Sequence, residues 1–295
     1  MLADLASLDP LVQQTFAEAS AGADVDLWAI SRDGAGDQLN QTEFTQPALL
    51  AAGVAVWRLW QARGGLRPAV LAGHSLGEYS ALVAAGVLPL DQAARLVRLR
   101  GQLMQAAAPA GTGAMAAILG ADDVLVEDVC RTVSSGKEVV VPANYNSPGQ
   151  IVIGGHAAAV DEALVQLADR GVRKAVKLAV SVPSHTPLMR EAADQLAVAM
   201  DGLDWAPATL PVVQNVDGRV NESIEAIRDA LVRQLYLPVQ WTACVQALAG
   251  RGVSAIGECG PGKVLTGLGK RIDRSLDSRA LGLPADLDAA LADWQ

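Results

Sequence analysis

The sequence predicts an α/β fold in which a large discontinuous domain, built on a parallel sheet, is interrupted by an inserted ferredoxin-like small domain. Three observations carry that expectation. Residues 68–81, PAVLAGHSLGEYSA, pass from an apolar run through a glycine-flanked turn into a segment of helical composition, which is the strand-turn-helix unit of a parallel α/β layer. From residue 113 six short segments follow in the order strand, helix, strand, strand, helix, strand, the split β-α-β pattern. After residue 181 longer elements resume, so the small unit reads as an insertion. With 295 residues, 51% of them hydrophobic and 19% charged, the chain can bury two cores and is not disordered.

Taken in order, residues 4–21 have helical periodicity and lead through Gly22 to a short segment around 27–30. Thr45 opens a long helix, with Pro47 near its first turn and Gly64-Gly65 ending it. Residues 69–72 read as a buried strand, and after the turn a helix runs to Gly86. Another helix starts at Asp91 and stops at Pro109-Ala110-Gly111. The large domain is thus assigned residues 1–111 and 181–295, and the small domain 112–180. Small-domain strands are expected at 114–119, 138–143, 150–153 and 173–180, with helices at 122–132 and 157–169. Residues 144–149, Asn-Tyr-Asn-Ser-Pro-Gly, are dense in turn formers and read as a loop facing a cleft. Beyond 181 come a helix at 186–200, a strand at 210–216, helices at 222–235 and after Pro238, a strand at 253–257, and a Gly260-Pro261-Gly262 turn into a helix at 263–274.

Composition bounds the function. A net charge of −9 argues against nucleic acid as a partner. Cys130, Cys244 and Cys259 are widely spaced, odd in number and lack metal-ligand spacing, which fits buried thiols in a reducing compartment. The first 21 residues mix acidic and apolar side chains and have no signal-peptide pattern. The apolar run at 47–57 is too short to span a bilayer. A cytoplasmic protein without membrane association is expected.

The strongest chemical signal is Gly73-His74-Ser75-Leu76-Gly77. Flanking glycines permit a strained turn that presents a serine hydroxyl, although Ser75 and Glu78 also fit a capping box at an ordinary helix start. The hydroxyl needs a base, and the chain has three histidines. His74 adjoins the nucleophile and points elsewhere on a tight turn, as a structural hydrogen-bonding residue. His156 follows Gly154-Gly155 at a helix start, where a cap or surface role is the better reading. His185, between Pro183 and Pro187, is the best candidate, with a backbone-satisfied loop histidine as its alternative.

The segment from Gly73 to Leu82 resembles the nucleophile segment of malonyl-CoA:acyl carrier protein transacylases. The likeness continues, in order and over nearly the whole chain, through Gln46-Pro47-Ala48, Arg100-Gly101, Gly111-Thr112-Gly113-Ala114-Met115, Asn146-Ser147-Pro148-Gly149-Gln150, Val182-Pro183-Ser184-His185, Asn215-Val216-Asp217, Pro238-Val239-Gln240-Trp241 and Gly260-Pro261-Gly262-Lys263. It implies an α/β-hydrolase-like large domain. It further implies that Ser75 is acylated, that His185 is its base, held by a carbonyl from the region of Gln240, and that the Leu76 N–H serves the oxyanion. Arg100, which by its sequence surroundings alone is a solvated charge, is implied to receive the malonyl carboxylate. Gln46, Gln240, Met104 and Asn146 are implied to line the substrate site. The implied partners are malonyl-CoA and acyl carrier protein, with no metal or redox cofactor and a monomeric enzyme. Because the carrier is acidic, Lys270 and Arg271 on the late helix, with Arg173 and Lys174 at the small-domain edge, are expected to dock it.

One departure from the pattern bears on activity. Family members start with a short strand running into a Gly-Gln-Gly-Ser-Gln turn, which lends a second N–H to the oxyanion hole, whereas this sequence starts at Met1 just beyond that point. Either the natural start lies upstream, or the form is impaired in folding and rate. A non-catalytic relative that binds acyl carrier protein or CoA esters therefore stands beside the transferase reading, with a serine carboxylesterase third.

Overall fold

Apolar residues at helical spacing assemble the first layer. The computed structural model describes residues 1–33, 36–109, 111–180 and 182–294. Helix α1 (Ala3–Leu8) is followed by α2 (Pro10–Ala23), which starts at Pro10 with the Asp9 carboxylate accepting from the Leu11 N–H, and which buries Val12, Phe16 and Ala19. After α3 (Leu27–Asp33) comes α4 (Thr42–Ala62), which begins three residues before the expected Thr45 and so places Pro47 beyond the first turn. Gly101 makes room for this first turn. A Cβ there would lie 2.6 Å from the Glu43 Cα, so the absent side chain lets the neighbouring helix lie against the first turn of α4. Strand β1 (Leu71–Ala72), α5 (Gly77–Ala84) and α6 (Leu90–Ala107) follow, with α2, α4 and α6 sharing one core.

The small unit holds β2 (Gly113–Leu119), α7 (Asp123–Val133), β3 (Val140–Ser147), β4 (Gln150–His156), α8 (Ala157–Asp169) and β5 (Lys174–Lys177). Its sheet is antiparallel in the order β3-β4-β2-β5, the ferredoxin-like order, and the two helices bury Ile118, Val126, Ile153, Val160 and Leu167 in a separate core. The expected loop at 144–149 is corrected. Strand β3 continues to Ser147, because Asn144, Tyr145 and Ser147 pair with Val152, Ile151 and Gln150 of β4; on its other side Asn144 bridges Val239 of the large unit, the Tyr145 N–H donating to Val239 O and the Val239 N–H to Ala143 O, both at 2.9 Å. Ser181, where the return to the large domain is expected, and Ala110, at the expected end of α6, lie outside the described residues.

The rest of the large unit comprises α9 (Arg190–Ala199), β6 (Val212–Val213), α10 (Ile224–Gln234), α11 (Trp241–Ala249), β7 (Ala255–Glu258), α12 (Val264–Ile272), β8 (Asp277–Ala280) and α13 (Pro284–Asp293). Its parallel pairing is divided between two ribbons among the described residues. Leu71 and Ala72 of β1 pair with Val212 and Val213 of β6, and β7 pairs with β8. Both β1 and β6 are thus shorter than the runs 69–72 and 210–216 suggest. No described helix is long and apolar enough to cross a membrane.

Candidate active site

Ser75 stands at the junction of β1 and α5 with φ of 50°, a left-handed conformation that an L-residue adopts at a cost. Gly73 permits the turn, since a Cβ there would come within 1.9 Å of Gly77 O. Gly77, the other flanking glycine, has open space around it and is not needed for the same reason. The turn is pinned by Asn215, just after β6: its Oδ1 accepts from the Ser75 N–H at 2.6 Å and its Nδ2 donates to Gly73 O at 2.7 Å. The Leu76 N–H, at the head of α5, makes no hydrogen bond among the described residues and is available to an oxyanion formed at Ser75.

His185 is the histidine that faces Ser75. It too is left-handed, with φ of 62°, and it is buried against the end of α10. The last carbonyls of a helix have no intrahelical partner. Two of them bind this residue, Leu235 O accepting from its backbone N–H at 2.9 Å and Gln234 O lying 2.6 Å from Nδ1. The orienting carbonyl is therefore that of Gln234, correcting the expectation of Gln240, whose backbone N–H donates to Asn215 O at the head of α11. A carbonyl can only accept, so Nδ1 carries the proton and Nε2 is left bare, 2.8 Å from Ser75 Oγ. Burial first, and then the charge of Arg100, push the imidazole pKa down to about 3, so the ring is neutral and its Nε2 lone pair is free to face the Ser75 hydroxyl.

Arg100 is not solvated. It is 2% exposed, projects from α6, donates through Nη1 to Gln46 Oε1 at 2.6 Å, and through Nη2 to Gln234 Oε1 at 3.0 Å and to Ser75 Oγ at 3.3 Å. Its guanidinium lies 5.7 Å from the Tyr79 ring centroid, and its buried Nε has no partner. Gln46 completes this corner, donating through Nε2 to Thr42 Oγ1 at 2.9 Å and towards Met104 Sδ at 3.6 Å. Four expected residues, Ser75, His185, Arg100 and Gln46, thus meet directly, with Met104 behind them.

Asn146 reaches the site by another route. Its Oδ1 lies 2.8 Å from His74 Nε2, and His74 packs 5.5 Å from the Trp241 ring, so this histidine joins the small domain to the residue before the nucleophile. His156 accepts from the Val139 N–H through Nδ1, a local structural role. Lys270 and Arg271, in the last turn of α12, are exposed, as are Arg173 and Lys174 at β5, but Arg271 donates to Gln150 Oε1 at 2.7 Å and so also ties α12 to the small domain.

Three buried polar residues went unassigned in the sequence. Glu78 does not close a capping box. It turns inward, fully buried, and accepts from the Asn215 N–H and Gln234 Nε2 at 2.9 Å and from Gln214 Nε2 at 3.2 Å. Gln234 had a detectable signal, since it continues the buried stripe of Ile227, Ala230 and Leu231 on α10. Asn215 lies within a stretch whose likeness to the family is plain but whose role only the folded turn reveals.

A nucleophile, a neutral base and a buried cation within hydrogen-bond reach of one oxygen constitute an acyl-transfer site. The sequence profile of the acyl transferase domain matches residues 2–277. The chain belongs to the acyl transferase family. Among relatives of this acyl transferase, the malonyl CoA-acyl carrier protein transacylase of Escherichia coli K12 is 54% identical over 291 residues, covering 99% of this chain and 94% of that one. The crystal structure of the malonyl-CoA:acyl carrier protein transacylase from Xanthomonas oryzae is 70% identical with a TM-score of 0.98, covering 100% of this acyl transferase and 93% of that chain. A malonyl-transacylase solved in complex with a type II polyketide synthase acyl-carrier protein is 53% identical with a TM-score of 0.97, covering 99% and 94%.

Proposed function

We propose that this acyl transferase carries a malonyl group from malonyl-CoA to the phosphopantetheine thiol of acyl carrier protein, in fatty acid biosynthesis in the cytoplasm. The observation that carries the reading is the position of Ser75 Oγ, 2.8 Å from His185 Nε2 and 3.3 Å from Arg100 Nη2. His185 Nε2 takes the hydroxyl proton as the serine oxygen attacks the thioester carbonyl, and the Leu76 N–H faces the oxyanion that forms. Collapse expels the coenzyme A thiolate, which takes the proton back from His185 and leaves a malonyl-serine ester. The carrier thiol then yields its proton to His185 and attacks this ester, and Ser75 leaves with the same proton. Arg100 holds the malonyl carboxylate throughout, a planar guanidinium being suited to grip it in one orientation. Gln46 and Gln234 aim the guanidinium; Met104, Gln240 and Asn146 border the substrate site, and residues 112–180 form the small domain beside it.

Incubation with malonyl-CoA followed by intact-mass measurement tests the reading. A covalent malonyl adduct on the peptide containing Ser75, discharged by acyl carrier protein, is expected. A folded protein that never acylates would favour a binding-only relative.

The exposed cations of α12 supply the docking surface for the acidic carrier. Lys270 is the cleaner probe, because Arg271 also holds Gln150. Lys270→Glu is expected to raise the KM for carrier protein several-fold, increasingly at low salt, and to leave that for malonyl-CoA unchanged. Equal effects on both substrates in steady-state kinetics would reject α12 as the docking face.

A further inference from the structure

Glu78 is a buried carboxyl group that, among the described residues, has no hydrogen bond from an arginine or lysine, at the centre of a transfer site in which the proposed mechanism gives it no part. We propose that Glu78 is a positioning residue for malonyl transfer: through the side-chain amide of Gln234 it fixes how Arg100 and Ser75 are presented to the substrate. The inference rests on the reading of Arg100 as the partner of the malonyl carboxylate.

The Gln234 amide is bound at both ends. Its Oε1 accepts from Arg100 Nη2 at 3.0 Å, while its Nε2 donates to Ser75 O and to Glu78 Oε2, each at 2.9 Å. Rotated by half a turn, the amide has nearly the same shape but exchanged chemistry. Its NH2 would then meet the guanidinium, donor against donor, and its oxygen would meet the Ser75 carbonyl and the Glu78 carboxylate, acceptor against acceptor. In its ionised form a carboxylate is an acceptor without a donor, so Glu78 in that form admits one orientation.

Glu78 is itself held so that it cannot adapt. The Asn215 N–H is backbone and cannot rotate, and Gln214 Nε2 is fixed in turn by Ile227 O and by Asn221, which donates to Gln214 Oε1. All three neighbours of the carboxylate present N–H groups, the arrangement that suits its ionised form. Burial pushes the carboxyl up to about 7, with the Gln234, Asn215 and Gln214 bonds and then the Arg100 charge opposing it. Such a group is an expensive way to fill space, and an apolar side chain would do that better. What it does that an apolar residue cannot is join the start of α5, just after Ser75, to the segment after β6 and the end of α10, which carry Asn215 and Gln234.

The test is the ratio of kcat/KM for malonyl-CoA to that for acetyl-CoA, read from acylation of Ser75, because a loss of fold or of nucleophile geometry lowers both and leaves the ratio alone. Glu78→Asp withdraws the carboxylate by one methylene and is expected to lower the ratio about tenfold or more, Glu78→Gln, which keeps an oxygen for Asn215 and Gln234, recovering most of that loss. Gln234→Leu should lower the ratio by a similar factor, and adding Glu78→Asp to it should change the ratio little further, since the link is already cut. An unchanged ratio in folded Glu78→Asp, or multiplicative losses in the double variant, would overturn the proposal. Gln234→Leu probes the same link from the other end, so an unchanged ratio there overturns it whether or not the aspartate variant folds. Arg100→Met separates the two ideas. If it leaves the ratio intact, the reading of Arg100 fails and this inference with it; if it collapses the ratio while Glu78→Asp does not, the inference about Glu78 fails alone.

Discussion

With His185 replaced by alanine, acylation of Ser75 by malonyl-CoA is expected to slow by about 10²- to 10⁴-fold, the usual worth of a positioned general base. The serine remains, but its proton has no acceptor: Gln46 and Gln234 direct their oxygens at Arg100, which can only donate. Rapid-quench measurement of the malonyl adduct checks this, and a loss below tenfold would remove His185 from the mechanism. The pH dependence follows from the same geometry. Burial and the Arg100 charge hold His185 at about 3 against an ordinary value of 6.5, so the base stays unprotonated as pH falls from 8 to 5. The acylation rate should therefore show no acid limb from His185 in that interval. A depressed histidine contributes stability that is complete above 6.5 and is lost as pH falls toward 3, because the unfolded chain binds the proton first. Melting temperatures of the alanine variant should accordingly decline less than those of the parent protein between pH 6.5 and 4.

Arg100→Met is expected to reduce kcat/KM for malonyl-CoA by about 10²- to 10³-fold and to leave acetyl-CoA far less affected, because losing one partner of a buried charge pair costs about 2–5 kcal/mol, a factor of ten for each 1.4 kcal/mol. Methionine fills the space without supplying donors. In the parent protein an acetyl group leaves the guanidinium facing a methyl, whereas the malonyl carboxylate gives it a partner, so the ratio between the substrates measures the arginine directly. Competition between the two thioesters, read by adduct mass, provides the check. An unchanged preference would mean that the carboxylate is bound elsewhere and that Arg100 serves only the folded state.

How much of this could be read in the sequence depends on whether the forces were local. The strand-turn-helix unit was legible because Val70, Leu71 and Ala72 lead into a turn bounded by glycine, and the small domain because its apolar segments alternate with two amphipathic helices. Residues 144–149 misled because asparagine, serine and glycine favour turns, while Asn144 and Tyr145 are held extended by pairing with Val152 and Ile151 of β4 on one side and with the distant Val239 on the other. The orienter of His185 was placed six residues late for a related reason. It is a main-chain oxygen released by the end of α10, and no side-chain identity marks it. Glu78 shows the sharpest conflict. Its spacing from Ser75 fits a local cap, yet the donors of Gln214, Asn215 and Gln234 draw it into the interior, and only the assembled fold brings these together. Strand β8, Asp-Ser-Arg-Ala, has no apolar alternation to reveal it and is set by pairing with β7.

Both members of the reactive pair occupy left-handed backbone, Ser75 at φ 50° and His185 at φ 62°, positions where glycine would rest without strain. Mutation toward easier folding and mutation toward loss of chemistry therefore point the same way at these two sites. Glycine at either position would relax the backbone and remove the reactive group in one step, so stability gained at these two sites is activity lost.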